Sequence, residues 1–432
     1  MKKNITQINR RNFMKNLAGG MLSATALLNT TACVTTVAKP IITPDKNIHP
    51  NDETFWKSIK DQFPIVKDKI WMNNGTMGPS PLVVQEAMFK KEAIANATGD
   101  YGGYDNVRPK LAKLLGCNHD EISLTQNVTN GINIIAQGMK LNRGDEVILT
   151  THEHVGNAVP WMGRAKRDGI VLKFAEMGKD ANEMLNNIND LISTKTRVIA
   201  VPHVTCTQGQ LLPAKEICKL GHDKRLWVML DGAHPVGMFP VDVVDLDCDF
   251  YVTCGHKWMM GPKGIGFLFM KKSMYEIVEP IFVGAGSETY WDYENGVKDW
   301  TASGHRYDYT TRSAALSVGL EAAADFLLDI GMENIGKRGA ALSYHIMENI
   351  KDIPNVELLT PLEEKSRASL VGFRLKNMEY GKLQGWLMEN YNIRARGVGE
   401  SGLNSIRVST HIYNDFDDIN KLIEAIKIAA KL

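Results

Sequence analysis

An excess of either charge is missing from this 432-residue sequence, with Lys+Arg at 50, Asp+Glu at 49 and a net charge of +1. No long basic block interrupts the body of the chain, which argues against nucleic acid as a partner. Cysteine is scarce. The six residues are Cys33, Cys117, Cys206, Cys218, Cys248 and Cys254, and none forms a CxxC pair. Buried free thiols are therefore expected rather than a disulfide framework, and no metal site is expected. Internal repeats and low-complexity tracts are also absent. What is present is an ordinary globular composition, 44% hydrophobic and 23% charged, on a chain long enough for two or three domains.

The N-terminal segment is of another kind. Lysines at the start are followed by Arg10-Arg11 and then Asn12-Phe13-Met14-Lys15, ahead of a weakly apolar run over residues 17–28. That run is too short for a membrane-spanning helix, and the pattern resembles a twin-arginine export signal. The expected location is periplasmic, by export of the folded protein. Thr31-Ala32-Cys33 offers a second reading, a lipoprotein site with an anchor at Cys33. Residues 34–52, with Pro40, Pro44 and Pro50, read as a linker.

Beyond the linker, β-rich runs alternate with segments of helical period. Strands are expected over 146–151, 170–174, 197–204, 226–230, 250–254 and 265–270, and helices over 181–193, 214–222 and 313–330. Strands apolar on both faces and separated by helices predict a mainly parallel sheet covered on both sides. Residues 265–270 follow 250–254 too closely for a helical crossover, so that strand is expected to run antiparallel.

Ligands collect at the carboxyl ends of such strands. Asp231 closes RLWVML, His203 and Thr205 close VIAVP, Glu153 and His154 follow VILTT, and His256-Lys257 follow FYVTC. Lys257 stands out because its flanks are bulky and apolar. Most lysines lay their stem on apolar surface and keep the amine in water. A desolvated amine is instead a competent imine-forming nucleophile. An Asp231 carboxylate in the same crevice could hold a protonated ring nitrogen, which is the arrangement used with pyridoxal 5'-phosphate (PLP). Residues 125–129 form a polar stretch entering a helix, a candidate phosphate cradle, with an N-cap by Asn127 or Thr129 as the plainer reading.

Taken together, DGAHPVGMFPVDVVDLDCDFYVTCGHKWMMGPKGIGFLFM, NNGTMGPSP, TQNVTNGIN, THEHVGNAVPW and IRVSTHIYN resemble the class V aminotransferase group of fold-type I PLP enzymes. DGAH followed by GHKW is most similar to the isopenicillin N epimerase-like branch. The resemblance implies an α/β fold with a mainly parallel seven-stranded sheet, helices on both faces and a smaller α+β C-terminal domain. The implied division is an export signal at 1–33, a linker at 34–52, an N-terminal segment and large PLP domain at 53–310, and a small domain at 311–432.

Position by position, the resemblance makes Lys257 the imine-forming lysine, Asp231 the partner of the pyridine nitrogen and His154 the ring-stacking residue. His234 approaches the phenolic oxygen of the cofactor. Val128, Thr129, His256 and Cys254 match phosphate-binding positions, although Cys254 replaces a common serine. Arg407 matches the arginine that holds a substrate carboxylate, and Asn74 is carried over as substrate-binding. Thr311 corresponds to a threonine that reaches the phosphate of a neighbouring subunit, which implies a homodimer. The implied substrate is a small amino acid or peptide-like amine, which displaces Lys257 to form an external aldimine before Lys257 acts as base at Cα. Epimerisation, transamination and C–S or other β-elimination all start there. Loop 394–405 contains no cysteine, whereas desulfurases of this class carry a sulfur-accepting thiolate in it. The alternative from another class is an exported binding protein on a degenerate PLP fold.

Overall fold

In the strands of this chain, apolar side chains occupy both parities, and successive side chains of a strand point to opposite faces. The chain therefore builds a sheet buried on two sides. The computed structural model describes residues 47–100 and 102–432; the signal-like segment, the arginine pair, Cys33 and most of the linker lie outside the described residues. The main sheet has seven strands: β1 (Ile122–Thr125), β2 (Glu146–Thr150), β3 (Val171–Ala175), β4 (Thr196–Pro202), β5 (Trp227–Asp231), β6 (Phe250–Cys254) and β7 (Gly266–Met270). Their spatial order is β1-β7-β6-β5-β4-β2-β3. Strands β2 to β6 run parallel, while β7 lies antiparallel to both β6 and β1.

Parity sorts the core into two layers. Val147, Leu149, Val198, Ala200, Met229, Phe250, Val252 and Leu268 join one cluster. Their neighbours Ile148, Ile199, Val201, Val228, Leu230, Tyr251 and Phe267 join the other. Helices α1 (Val128–Gly138) and α2 (Val155–Asp168) cover the first face through Ile132, Ile135 and Trp161. Ala181–Asn189, Ala214–Asp223 and Ala314–Ile330 cover the second through Met184, Ile217 and Leu327. Each fully buried aliphatic side chain of this kind contributes roughly 1.5–3 kcal/mol.

A four-stranded antiparallel sheet forms the smaller C-terminal domain, in the order Val356–Leu358, Leu370–Leu375, Ser405–Ser409, Arg396–Val398. Leu342, Ile346, Leu387, Ile419 and Ile426 pack on it from three helices, Met332–Ile350, Tyr380–Tyr391 and Phe416–Ala429. Ile70 and Met72 belong to this second core as well, because Ile70–Trp71 pairs in parallel with Ile393–Arg394. The N-terminal segment thus leaves the small domain and runs on towards Lys257.

The expected strands appear with ends shifted by one or two residues, and the reversal of β7 is as expected. Among the further elements, two stand out. β1 is a short ISLT strand between polar flanks, and it absorbs Thr125, which the sequence placed in a polar loop. The hairpin of Glu288–Asp292 with Gly296–Trp300 exposes Tyr290, Trp291 and Tyr293. The five cysteines among the described residues are free thiols, buried at Cys206, Cys218, Cys248 and Cys254 and half-buried at Cys117.

The seat of α1 on β6 is tight enough to test. A Cβ at Gly131 would lie 2.4 Å from Cγ1 of Val252. Alanine is the better helix former, yet Gly131→Ala is expected to destabilise the protein by about 1–3 kcal/mol through overpacking, read as a lowered midpoint in chemical unfolding.

Candidate active site

The site is built on the face covered by α1 and α2, at the carboxyl ends of the parallel strands. Asp231 is the last residue of β5, and its parity turns it to the same face as Met229 and Cys254. Its carboxylate accepts the Ala233 N–H at 2.9 Å, and the residue is only 5% exposed. Burial raises its pKa, opposed by the nearby Lys257 charge and by that N–H. Lys257 follows β6, half-buried, and among the described residues its amine has no hydrogen-bond or ion-pair partner. Its peptide is clamped from above. Gly78 N–H donates to the His256 carbonyl at 2.8 Å, and a Cβ on Gly78 would lie 2.2 Å from the Lys257 oxygen. Only glycine fits there, so the NNGTMGP stretch is shaped by contact with the lysine segment.

Three histidines surround this centre, and all are held neutral. His154 caps α2, its Nδ1 accepting the Gly156 N–H at 3.0 Å. Desolvation, then the charges of Lys257, Arg396 and Arg407, push its pKa down to about 4. His256 is pushed to about 4 by desolvation and then by Lys257 and Lys263. His234 is buried and held well below its usual value by desolvation, then by Lys257 and Arg407. Its Nδ1 accepts the Trp258 indole N–H at 3.0 Å, while its Nε2 is buried without a partner among the described residues.

Arg407 comes from strand Ser405–Ser409 of the small domain and is 1% exposed. It donates to the Cys206 carbonyl at 2.7 Å, to Thr76 Oγ1 at 2.9 Å and to Asn73 Oδ1 at 3.2 Å. Among the described residues no carboxylate pairs with it, and its Nε lacks a partner. Burial, with Arg396 adding to it, lowers its pKa to about 9. Asn74 is fully buried beside it, accepting from Tyr413 OH at 3.0 Å and leaving its own Nδ2 unpartnered.

The phosphate positions divide. The N–H groups of Val128 and Thr129 precede the first intrahelical bond of α1, so they are available to an anion. Asn127 is the N-cap, its side chain accepting from Asn130, so Thr129 is not the cap but a first-turn residue. Thr129 stands next to His154, since a Cβ on the intervening Gly156 would lie 2.6 Å from Thr129 Oγ1 and 3.0 Å from His154 Nδ1. Cys254 is buried, its thiol directed to the Ala233 carbonyl at 3.9 Å and its pKa pushed up to about 11 by burial. Thr311 is exposed ahead of Ala314–Ile330 and shares no hydrogen bond with the other site residues described.

Not every polar strand end joins the cluster. His203 falls on the opposite parity and bonds Tyr251 OH at 2.9 Å in the second core layer. Thr205 accepts the Gln210 N–H at 2.9 Å. Sequence reasoning passed over Arg396, which reaches the Cys206 carbonyl at 3.4 Å and ion-pairs Glu400. It also passed over Thr76, Tyr413 and the Trp258–His234 bond. Apart from the Arg396–Glu400 pair, these contacts join residues that are not near neighbours in the chain.

A PLP molecule finds what it needs in this set. Among the described residues, an amine without a partner, a buried carboxylate without a cationic contact, a buried His234 Nε2 without a partner and a helix start free for a phosphate gather at the carboxyl ends of the parallel strands. A buried guanidinium free to take a substrate carboxylate stands beside them.

Comparison with known proteins agrees. The class-V aminotransferase family profile matches residues 92–422. A probable cysteine desulfurase of Synechocystis sp. is 30% identical, over 86% of this chain and 94% of that protein. The cysteine desulfurase of Haloferax volcanii is 30% identical, over 87% and 97%. Among solved structures, the apo cysteine desulfurase of Thermococcus onnurineus NA1 superposes with a TM-score of 0.79 at 24% identity, covering 86% of this chain and 97% of its own, a likeness of fold. The complex of the cystine C–S lyase C-DES with its product cysteine persulfide gives 0.78 at 25% identity, covering 85% and 99%. A C-DES variant with glycine covalently linked to its PLP cofactor gives 0.77 at 25% identity, covering 85% and 98%. These relatives are named desulfurases and a C–S lyase. The expected isopenicillin N epimerase-like branch gives way to the broader family.

If Lys257 carries the cofactor, the purified protein shows a visible absorption band that borohydride abolishes. Lys257→Ala is expected to lose that band completely while keeping the far-ultraviolet circular dichroism of the parent; a band of full intensity in the variant refutes the assignment.

Proposed function

The chain belongs to the class-V aminotransferase family of PLP enzymes, and on that premise we propose that it cleaves the Cβ–S bond of a sulfur-bearing α-amino acid, such as cysteine or cystine, by β-elimination. Its relatives' names support C–S chemistry, and one observation decides its form: loop 394–405 contains no cysteine. That loop borders the site, with Ser401 Oγ donating to the Thr151 carbonyl at 2.8 Å and Arg396 reaching Cys206. The cysteines among the described residues that lie near Lys257, Cys206 and Cys254, are buried with their thiol pKa values raised. A protein thiol ready to take sulfur is therefore lacking among the described residues, and sulfur leaves on the small molecule.

The residues have definite tasks in this reading. Arg407 holds the substrate carboxylate in a charge-assisted, two-pronged bond. This fixes Cα relative to Lys257, whose amine takes the Cα proton. PLP, when bound, supplies the sink for the electrons of that C–H bond. Asp231 would hold a proton on the ring nitrogen, and neutral His154 would offer the cofactor a ring face without adding charge. Elimination breaks Cα–H and Cβ–S and forms Cα=Cβ, and the sulfur leaves with its electron pair and takes a proton. With cystine and one water, the products balance as pyruvate, ammonia and cysteine persulfide.

Incubation with cysteine or cystine in deuterated water, following keto acid, sulfide or persulfide, alanine and Cα exchange, separates the outcomes. Elimination produces pyruvate and ammonia in equal amounts. Alanine with sulfur retained on the protein would instead mean desulfurase chemistry, and exchange with racemisation alone would mean an epimerase. Arg407→Lys is expected to raise KM by roughly tenfold or more through loss of the bidentate contact.

We further propose that the enzyme is a homodimer in which the exposed Thr311 serves the neighbouring site, and that it is exported to the periplasm through the Arg10-Arg11 signal. A monomeric mass in sedimentation tells against the first. Unchanged export after replacing both arginines with lysine tells against the second.

A further inference from the structure

The motifs DGAH and GHKW meet in space through their last residues. Trp258 and His234 are both buried, at 1% and 2% exposure, and the Trp258 indole N–H donates to His234 Nδ1 at 3.0 Å. An indole nitrogen only donates, so Nδ1 must be the unprotonated nitrogen of the ring. The ring proton of a neutral His234 then sits on Nε2, which is buried and has no partner among the described residues. The charged and titratable groups facing this ring are Lys257, Arg407, His154 and Arg396, and each disfavours a second proton on it. A buried donor without an acceptor is costly, by about 1–3 kcal/mol, so the arrangement makes physical sense when an acceptor enters the site. The open side is narrow, because a Cβ on Gly75 would lie 3.2 Å from both His234 Cε1 and the Arg407 guanidinium.

Trp258 is itself held from two directions. Its carbonyl accepts from His411 Nε2 at 2.8 Å, and their rings lie 5.2 Å apart. Gly237, at φ +94°, brings its backbone so close that a Cβ would lie 2.3 Å from the Trp258 oxygen. The indole is therefore a fixed reference point, and it directly follows the lysine that carries the cofactor.

We propose that Trp258 is a positioning residue: its indole N–H locks His234 as the Nε2–H tautomer, so that the buried Nε2–H donates to the ring oxygen of bound PLP. This rests on the PLP reading of the site. One peptide segment then sets both the amine that bonds the cofactor and the polarity of the donor opposite. A histidine free to exchange tautomers at this place would turn a bare nitrogen, in place of a donor, towards the cofactor oxygen.

Long-range proton–nitrogen correlation spectra of the holoenzyme labelled with nitrogen-15 histidine test the idea. Wild-type His234 is expected to show a protonated Nε2 and bare Nδ1, unchanged from about pH 6 to about pH 8. Trp258→Phe keeps an aromatic ring and removes the N–H. In that variant, His234 is expected to exchange tautomers, and the pH midpoint of the visible band to move by about one unit. A protonated Nδ1 in wild-type His234 overturns the proposal even if Trp258→Phe fails to fold. So does a coloured, folded Trp258→Phe with unchanged His234 signals and an unchanged midpoint. A colourless wild-type protein after growth with the cofactor defeats the underlying PLP reading instead, which keeps the two failures apart.

Discussion

A guanidinium buried without an ion-paired anion among the described residues is the constraint around which the site is arranged. Arg407 belongs to the C-terminal sheet, yet its donors end on Cys206 in the large domain and on Asn73 and Thr76 in the N-terminal segment. Taking such a charge out of water costs several kcal/mol, and hydrogen bonds to a charged group offset this by about 1.5–3 kcal/mol each. The offset requires three separate stretches of chain to be in register at one point. This explains why the N-terminal segment is stitched to the small domain by Ile70–Trp71 and Ile393–Arg394 before it passes over Lys257. What remains unbalanced is the positive charge, which in the proposed reading a substrate carboxylate would balance.

The neighbouring polar groups follow from that surplus. With Arg407, Arg396 and Lys257 close together, a further cation is unfavourable, and His154 and His234 stay neutral. Neutral rings have one donor and one acceptor each, so their direction must be set by partners. His154 is set by the Gly156 N–H and His234 by the Trp258 indole. Asp231 is the opposing element, a carboxylate whose pKa burial raises, while the nearby Lys257 charge and the Ala233 N–H work against that rise.

Much of this is legible in the residues themselves. Alternating apolar strands and helices imply the sheet, short spacing implies the reversal of β7, and an amine among apolar neighbours singles out Lys257. His203 shows where such legibility stops. It ends a strand as Asp231 does, but with the opposite parity, so it bonds Tyr251 on the far face. Arg396 and Tyr413 carry no local signal, since their roles come from contacts with Cys206 and Asn74. The branch was read too finely: relatives of this chain are named cysteine desulfurases, and residues such as DGAH and GHKW do not specify where the electrons at Cα go.

By itself the sequence determined the chemistry available: a lysine, an acid, a set of histidines and an arginine at the ends of apolar strands, on a family scaffold that uses PLP. These are properties of residue type and periodicity, which are local. Only the tertiary structure decided which groups share a face, which stay neutral and which are left without a partner. Burial and tertiary hydrogen bonding set those properties, and both depend on residues apart in the chain, 24 positions for His234 and Trp258 and 201 for Arg407 and Cys206. The difference is clearest at His234. Its identity is written in DGAH, while the direction of its proton comes from an indole that the fold brings to its other nitrogen.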